Sequence, residues 1–426
     1  MNHYFYKCFD CKTEFSVEEI EPTFQYLCPE CGEISQNQPL KGVLQIEYGY
    51  SDLRKNISRE KFLDFVPGQF WKYPQLWPLE YQKNRHSYSF KNISDEMLNR
   101  LCLNSNPLVK HTEDDSSLLF FDDTRSPTLS FKDRASILVA LKAIQLNIKE
   151  IAAASTGNAA SSLAGICARL GLHAHLFVPE NIPSAKRIQI QSFGAQLYVV
   201  QGNYDQAFDL SIEISNKTKW YNRNTAYNPL TIEGKKSAAY DIFLASKGDV
   251  PDVIIVPVGD GVILSGIYKG FWELKKLGYT NKIPQLCAVQ SEGSDALVRY
   301  LKTGRFEYRS PQTIADSISA GAPRNLYMAA EAVKISGGVA VAVSDENILQ
   351  AQKTVCQQFG LLAEPAAATT LAGYHKLIQD QKISIDQKIL LLITGNGLKD
   401  IRALESWNKA SESHSLDEWK KLLYTE

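Results

Sequence analysis

Residues 253–266 read VIIVPVGDGVILSG. An apolar run with the length of a buried strand comes first, and a turn that contains Gly259 and Gly261 separates it from a helical pattern. A glycine-bearing turn at the start of a helix exposes backbone N–H groups and the positive end of the helix dipole, which suits a phosphate. The alternative is a tight connection whose glycines serve only the backbone geometry. The turn is not a P-loop, because no Gly-Lys-Ser/Thr follows it.

Strand-like and helix-like stretches alternate around this unit, from about residue 117 to the end of the chain. The expected strands lie at 118–121, 150–154, 173–178, 196–200, 253–258, 285–290 and 388–394, and the expected helices at 131–146, 158–170, 183–193, 204–218, 264–277, 345–359 and 366–378. Short, nearly all-apolar strands between helices predict an α/β fold with parallel sheets covered on both faces. Ligands bind at the carboxyl ends of the strands in such sheets, so functional residues are expected in the loops that follow them.

Length and composition bound the class of protein. A chain of 426 residues has room for about two to three domains, and 44% hydrophobic with 22% charged residues is typical of globular proteins. The net charge of −1 provides no positive field for nucleic acid, so a small ligand is the expected partner. The apolar runs are far shorter than the roughly 20 residues of a membrane-spanning helix, and the N-terminus lacks the features of a signal peptide. We therefore expect no membrane association and a cytoplasmic location.

Four cysteines form two pairs near the N-terminus, Cys8-x-x-Cys11 and Cys28-x-x-Cys31. Two such pairs supply the four thiolates of a tetrahedral structural zinc site, and this spacing is typical of a zinc ribbon. The alternative is a cysteine-bearing knuckle without a metal. Acidic residues dominate this segment, which disfavours a nucleic-acid role.

Three further segments place reactive or polar side chains where strands end or helices begin. Lys132 lies at a helix start, where the helix dipole makes an amine lose its proton more easily, as a Schiff-base lysine requires; the alternative is a surface lysine paired with Asp133. Ser155, Thr156 and Asn158 follow an expected strand and are able to hold a carboxylate, or they serve simply as helix caps. Thr394 ends another strand, where its hydroxyl is able to contact a heterocycle nitrogen. The alternative is that Thr394 belongs to an ordinary strand-ending turn.

The order of these segments resembles the fold type II pyridoxal-phosphate enzymes and, within them, the threonine synthases. The matching motifs extend over roughly residues 105–405 and include Ser130-Phe-Lys-Asp-Arg134, Val178-Pro-Glu180, Glu233-Gly-Lys235, Glu364-Pro-Ala366 and Thr394-Gly-Asn-Gly397. The resemblance implies a tryptophan synthase β-like fold with two doubly wound α/β subdomains and the active site between them.

The resemblance also implies a division of the chain and a set of residue roles. The expected units are a zinc-ribbon-like segment at 1–42, a lead-in packed on the core at 43–110, a catalytic domain at 111–410 with a smaller mobile subdomain at about 145–235, and a C-terminal helix or tail at 411–426. The resemblance implies that Lys132 binds pyridoxal 5'-phosphate covalently and transfers protons. Asn158 would contact the cofactor's phenolic oxygen, Thr394 its pyridine nitrogen, and its phosphate would be held by Gly259, Asp260, Gly261, Val262 and Ile263. Ser155 and Thr156 would hold the substrate carboxylate, and Asn228 would make a further substrate contact.

One departure from the family pattern concerns the substrate phosphate. Threonine synthases usually carry an arginine for the substrate phosphate shortly after the Asn-Pro motif, and here Thr231 stands at that place after Asn228-Pro229. Lys235, Lys236 or Arg223 could supply the missing positive charge.

The resemblance implies conversion of O-phosphohomoserine and water to threonine and phosphate by a small-molecule enzyme, and a homodimer is compatible with it. The departure keeps two alternatives open. One is a related β-replacement enzyme or dehydratase, similar to a cysteate synthase or a serine/threonine dehydratase, with another amino-acid substrate. The other is a pyridoxal-phosphate-binding protein without turnover.

Overall fold

A computed structural model describes residues 3–84, 87–110, 118–155, 157–408 and 412–424. The N-terminal part contains short elements, and two 3₁₀ turns at Phe70–Lys72 and Pro74–Leu76 lie between α3 and β4. Its strands and helices are β1 (Tyr4–Cys8), β2 (Glu14–Phe15), α1 (Val17–Ile20), β3 (Leu44–Tyr48), α2 (Tyr50–Asn56), α3 (Arg59–Leu63), β4 (Tyr81–Lys83), β5 (Tyr88–Phe90), α4 (Asp95–Asn99) and β6 (Leu108–Lys110).

The remaining chain alternates between strands and helices, as the sequence predicts. Its elements are β7 (Leu118–Asp122), α5 (Asp133–Gln145), β8 (Glu150–Ala154), α6 (Asn158–Leu170), β9 (His173–Pro179), α7 (Ser184–Ser192), β10 (Gln196–Val200), α8 (Tyr204–Thr218), β11 (Tyr221–Asn222), α9 (Leu230–Ala245), β12 (Val253–Pro257), α10 (Val262–Lys276), β13 (Gln285–Ser291), α11 (Ala296–Thr303), α12 (Leu326–Ile335), β14 (Ala340–Val343), α13 (Asp345–Phe359), α14 (Pro365–Gln379), β15 (Ile389–Ile393), α15 (Ile401–Glu405) and α16 (Leu416–Tyr424). Three 3₁₀ turns lie at Glu292–Ser294, Asp316–Ile318 and Gly397–Lys399. None of these described helices is long and apolar enough to span a bilayer.

Two mainly parallel sheets organise the core. The larger sheet has the strand order β14-β13-β12-β15-β7-β6, in which only the pairing of β6 with β7 is antiparallel, and the smaller sheet has the order β10-β9-β8-β11 with parallel pairing throughout. The central strands β12 and β15 are buried along their whole length, which explains their continuous apolar sequences. The prediction of an α/β fold with two parallel sheets is confirmed, whereas the limits of the four units and of the subdomain stay predictions.

The N-terminal segment pairs with itself and contacts the core through a buried charged cluster. Strand β1 pairs antiparallel with β3 along five residues of each. At the end of β3, the Tyr48 hydroxyl donates a hydrogen bond of 2.7 Å to Glu233 of α9. Glu233 also lies 2.5 Å from Lys236 and 2.9 Å from Lys269 of α10. Because each of these charges has a partner of opposite sign, the cluster can be buried between the segment and the core.

A second buried ion-pair cluster fixes the start of α5. Arg134 is fully buried and lies 2.6 Å from Asp123 and 2.6 Å from Asp241. Replacing Arg134 by methionine leaves two buried carboxylates without their cation, and we expect the free energy of unfolding to fall by about 3–5 kcal/mol. Urea unfolding measures this loss. The matched control is Arg125→Met: Arg125 pairs with Asp122 but is exposed, so its loss should be below about 1 kcal/mol, and equal losses in both variants would contradict the prediction.

Candidate active site

Three of the sequence-predicted segments, at Lys132, after β8 and after β12, meet in a cleft at the carboxyl ends of the strands, whereas Thr394 after β15 is not among the residues that line it. The cleft contains two adjoining cavities of about 50 Å³ each. Both cavities are lined by Lys132, Thr225, Gly259, Asp260, Ser317 and Ile318. Ser155 and Asn158, which follow β8, line the first cavity, and Lys235 together with the rest of the glycine turn lines the second. The structure therefore brings Lys132 to the turn after β12.

Residues of the strand-ending turn after β15 hold the backbone around Lys132. The Phe131 N–H donates to the Thr394 carbonyl at 2.8 Å, and Ser130 forms a bridge with Gly395. Thr394 is thereby placed beside the residue that precedes Lys132. This backbone pairing joins two chain segments that are far apart in sequence and fixes the base of the lysine side chain.

The environment of Lys132 makes its amine easier to deprotonate than that of an ordinary lysine. Burial lowers the pKa of Lys132 to about 8; Glu364 opposes this shift, and the positive charges of Arg223 and Lys186 add to it. A neutral amine is the form that attacks an aldehyde, so the structure supplies what a Schiff-base lysine requires.

The lowered pKa predicts the pH dependence of cofactor incorporation. Below pH 8 the Lys132 amine is mostly protonated, so the incorporation rate into cofactor-free protein should rise about tenfold per pH unit and level off above pH about 8. The rate is measured by visible absorbance after mixing with pyridoxal 5'-phosphate. A rise that continues to pH about 10, where an ordinary lysine titrates, would contradict the assigned pKa.

The turn after β12 requires its glycines and fits a phosphate. Gly261 has a φ of +86° and precedes α10, and a Cβ atom there would lie 2.6 Å from the Ala329 Cβ. A Cβ atom on Gly259 would lie 2.9 Å from the Ile318 Cα. Helix α10 begins at Val262, two residues earlier than the sequence predicts, so Gly261 and Val262 present the free N–H groups of a helix start to the cleft.

The side-chain amide of Asn158 has its nitrogen engaged in hydrogen bonds and its oxygen unsatisfied. Its Nδ2 atom donates to Glu364 Oε1 at 2.7 Å and to the Ser317 hydroxyl at 2.9 Å. Its Oδ1 atom is buried and has no hydrogen-bond partner among the described residues. A buried polar atom without a partner is costly, so this corner of the cleft fits a ligand that carries polar groups. Together with the amine and the glycine turn, it makes the cleft compatible with pyridoxal 5'-phosphate.

The remaining residues predicted from the sequence differ in their positions relative to the cleft. The Ser155 hydroxyl lies in the cleft but also accepts a hydrogen bond of 2.9 Å from the Gly157 N–H, which is the local turn role considered as its alternative. Thr156 lies outside the described residues. Asn228 does not line either cavity: its amide donates to the Asn222 carbonyl at 2.8 Å and its oxygen accepts from the Leu230 N–H at 2.9 Å. Asn228 therefore shapes the turn before α9 rather than the cleft.

Several cleft residues carry no role in the sequence analysis. Ser317 and Ile318 belong to a short 3₁₀ turn that lies against Gly259, and no local sequence signal marks this turn. Lys186 is buried and donates to Asp316 at 2.7 Å and to Ser317 at 3.1 Å. The Glu364 motif appears in the sequence, but the approach of Lys186 to within 4.0 Å of Glu364 depends on long-range packing.

The four N-terminal cysteines form one cluster. Their Sγ atoms all lie within 4.8 Å of one another, with 3.4 Å between Cys8 and Cys31 and 3.6 Å between Cys11 and Cys28. A tetrahedral zinc site with metal–sulfur bonds of about 2.3 Å requires sulfurs about 3.8 Å apart. The cluster could thus hold a metal ion.

Comparisons with known proteins give one consistent result. A family model described as pyridoxal-phosphate dependent enzyme matches residues 97–395. The threonine synthase of Methanocaldococcus jannaschii is 32% identical over 412 residues, which cover 94% of this chain and 95% of that protein. The threonine synthase of Methanosarcina acetivorans is also 32% identical, with 93% and 92% covered.

Solved structures of lower identity share the fold. Maize serine racemase superposes with a TM-score of 0.62 at 20% identity, covering 78% of this chain and 97% of that one. Threonine deaminase isoform 2 from Solanum lycopersicum gives a TM-score of 0.57 at 19% identity, covering 89% and 98%. These likenesses confirm the prediction of a fold type II architecture.

Proposed function

The chain belongs to the threonine synthases among the pyridoxal-phosphate-dependent enzymes, and we propose from this premise that it converts O-phosphohomoserine and water to threonine and phosphate. The observation that supports the phosphorylated substrate most directly is a pair of buried cations without carboxylate partners beside Lys132. Its two members are Arg223 and Lys235.

Arg223 and Lys235 are both buried, and among the described residues neither forms an ion pair with a carboxylate. The Arg223 guanidinium donates to the Ser136 hydroxyl at 3.2 Å, and the Lys235 amine donates to the Thr225 hydroxyl at 3.0 Å. Burial lowers the pKa of Arg223 to about 10. Burial, the charge of Arg223 and the charge of Lys132 hold the pKa of Lys235 well below its usual range. A bound dianion would relieve this unfavourable cluster.

Lys236 is not a candidate for phosphate binding, because its charge already has carboxylate partners. Lys236 is fully buried and lies 2.5 Å from Glu233 and 3.0 Å from Glu273, so its charge is already balanced. It also lies over the ring of Tyr48, on the side of α9 that faces the N-terminal segment. Lys236 therefore contributes to packing.

Lys235 is proposed to supply the positive charge that Thr231 does not. Thr231 and Lys235 are one turn apart on α9, so they lie on the same helix face. The Thr231 hydroxyl is used locally: it donates to the Asn228 carbonyl at 2.7 Å and accepts from the Ala226 N–H at 3.1 Å. A lysine one turn later returns a positive charge to the face that the family's arginine would occupy.

The proposed roles of the other residues follow from their positions. When bound, the cofactor stabilises negative charge that develops on the substrate carbons. Lys132, as a neutral amine, is placed to take the α-proton and then to assist removal of a β-proton. The turn Gly259–Ile263 would hold the cofactor phosphate, Asn158 and Thr394 its ring atoms, and Ser155 the substrate carboxylate. Phosphate leaves from the γ-carbon, and water supplies the hydroxyl of threonine at the β-carbon.

Phosphate release tests the proposed reaction. Purified protein saturated with cofactor should release phosphate from O-phosphohomoserine and form an equal amount of threonine. Release of ammonia and a 2-oxo acid from L-serine or L-threonine, without phosphate release, would instead identify a dehydratase. The absence of turnover with all three substrates, at full cofactor occupancy, would leave either a β-replacement enzyme with another amino-acid substrate or a binding protein without catalysis.

The four-cysteine cluster is proposed to hold one structural zinc ion. All four sulfurs are within bonding reach of a common centre, and no open position for a reacting water is evident in a four-thiolate site. We expect one zinc per chain by elemental analysis, and its loss in a Cys11→Ser variant together with a lower thermal midpoint. The matched control is Cys102→Ser, another exposed cysteine outside the cluster, which should retain the metal. Equal zinc content in both variants would contradict the assignment.

Two further properties are proposed, the first from the sequence and the second from the family resemblance. The enzyme is expected in the cytoplasm, and it is expected to form a homodimer. Sedimentation of the purified protein tests the second expectation.

A further inference from the structure

A second cavity lies in the N-terminal lead-in, away from Lys132. Its volume is about 430 Å³, more than eight times that of either cavity at Lys132. It lies between α3, the β4–β5 hairpin and α4. This volume falls in the range of sites that bind cofactors and drug-sized molecules.

Three exposed lysines from separate elements line this cavity. Lys61 belongs to α3, Lys72 to the Phe70–Lys72 turn and Lys83 to β4, and all three line the cavity. In the part of the chain that the structure describes, none of these lysines forms an ion pair, and Asp95 is the one carboxylate among the lining residues. Three cations against one carboxylate around a single cavity favour an anionic ligand.

Aromatic side chains form the rest of the wall. Phe65, Trp71, Tyr88 and Phe90 line the cavity, and Trp71 and Phe90 are otherwise buried. Aromatic walls favour a flat ring, which can stack on them or meet their edges. The cavity is also far larger than a bare phosphate needs, so the anion should carry a ring system.

We propose that this cavity binds a nucleoside phosphate, with the heterocycle against the aromatic wall and the phosphate near the lysines. The inference is independent of the proposed reaction, because the cavity shares no lining residue with the cleft at Lys132.

Calorimetric titration of the cofactor-saturated enzyme with AMP tests the proposal. AMP should bind with one site per chain, whereas adenosine and inorganic phosphate should each bind at least about tenfold more weakly, because each lacks one half of the recognised chemistry. The variant K72A/K83A should lose at least about tenfold in AMP affinity. The variant K302A/K382A removes two exposed lysines outside the cavity and should bind AMP like the unchanged protein.

A further variant locates the binding. Lys235→Gln removes a cation from the catalytic cleft, so AMP binding at the proposed cavity should be unaffected by it. No saturable binding at millimolar AMP, equal loss in both double-lysine variants, or loss of binding in Lys235→Gln would each overturn the proposal. The first result would exclude a nucleotide site, the second would indicate non-specific charge attraction, and the third would place the ligand in the catalytic cleft.

Discussion

Replacing Lys132 by alanine is expected to reduce phosphate release from O-phosphohomoserine by at least about a thousandfold. The substitution removes both the covalent attachment point of the cofactor and the amine that transfers protons, and a positioned base alone contributes about 10²–10⁴ in rate. The variant should fold normally, because alanine leaves the backbone pairing with the turn after β15 in place. Steady-state phosphate release and circular dichroism measure the two effects.

Two variants make this test specific. Lys149→Ala removes an exposed lysine after α5 and should keep full activity. Lys399→Ala is the informative comparison, because burial also lowers the pKa of Lys399 to about 8. The Lys399 amine donates to Ser161 at 2.9 Å and to Gln189 at 2.8 Å, and Lys399 lines neither cleft cavity. Retained turnover in Lys132→Ala together with loss of turnover in Lys399→Ala would show that the cofactor binds to Lys399 and not to Lys132.

Replacing Lys235 by glutamine is expected to lower kcat/KM for O-phosphohomoserine by about a hundredfold. Glutamine keeps a similar length and polarity but cannot neutralise a dianion, and a charge-assisted hydrogen bond in a buried site contributes about 1.5–3 kcal/mol. Most of the effect should be in KM, and inhibition by the product phosphate should weaken in parallel. Lys235→Arg should recover most of the loss, because it restores the cation.

The control for this prediction is Lys247→Gln, an identical charge change at an exposed position just after the same helix. Cofactor affinity is measured in each variant. A fall in cofactor affinity with an unchanged KM would show that Lys235 serves the cofactor phosphate instead, since it lines the same cavity as the glycine turn.

The sequence identifies those parts of the fold and cleft whose signals are local. The strand at 253–257 is continuously apolar because both of its faces are buried, and the glycines after it are required by close backbone contacts. The proposal of Lys132 as the cofactor lysine rests on a recognisable motif that its neighbours in the chain form. Such features need only a few consecutive residues to become visible.

Helix α9 shows why other parts could not be predicted. Almost all of its residues are buried, and three of its charged residues, Glu233, Lys236 and Asp241, pair inside the protein, so it lacks the polar face from which an amphipathic helix is recognised. Whether Thr231 and Lys235 lie on the same helix face depends on the register of this helix, and the sequence pattern does not indicate that register. The position of Ile318 against Gly259 depends on contacts between distant segments, so no local pattern indicates it.

The pairing of β1 with β3 bears on how the enzyme can be dissected. A shortened protein that starts at residue 43 would keep β3 but lose the strand that covers it, and the unpaired backbone groups of β3 would form an open edge. Such edges recruit other chains and promote aggregation. The cysteine-bearing segment is therefore better regarded as a part of the enzyme's architecture than as a detachable module, and attempts to obtain a minimal catalytic fragment should retain it.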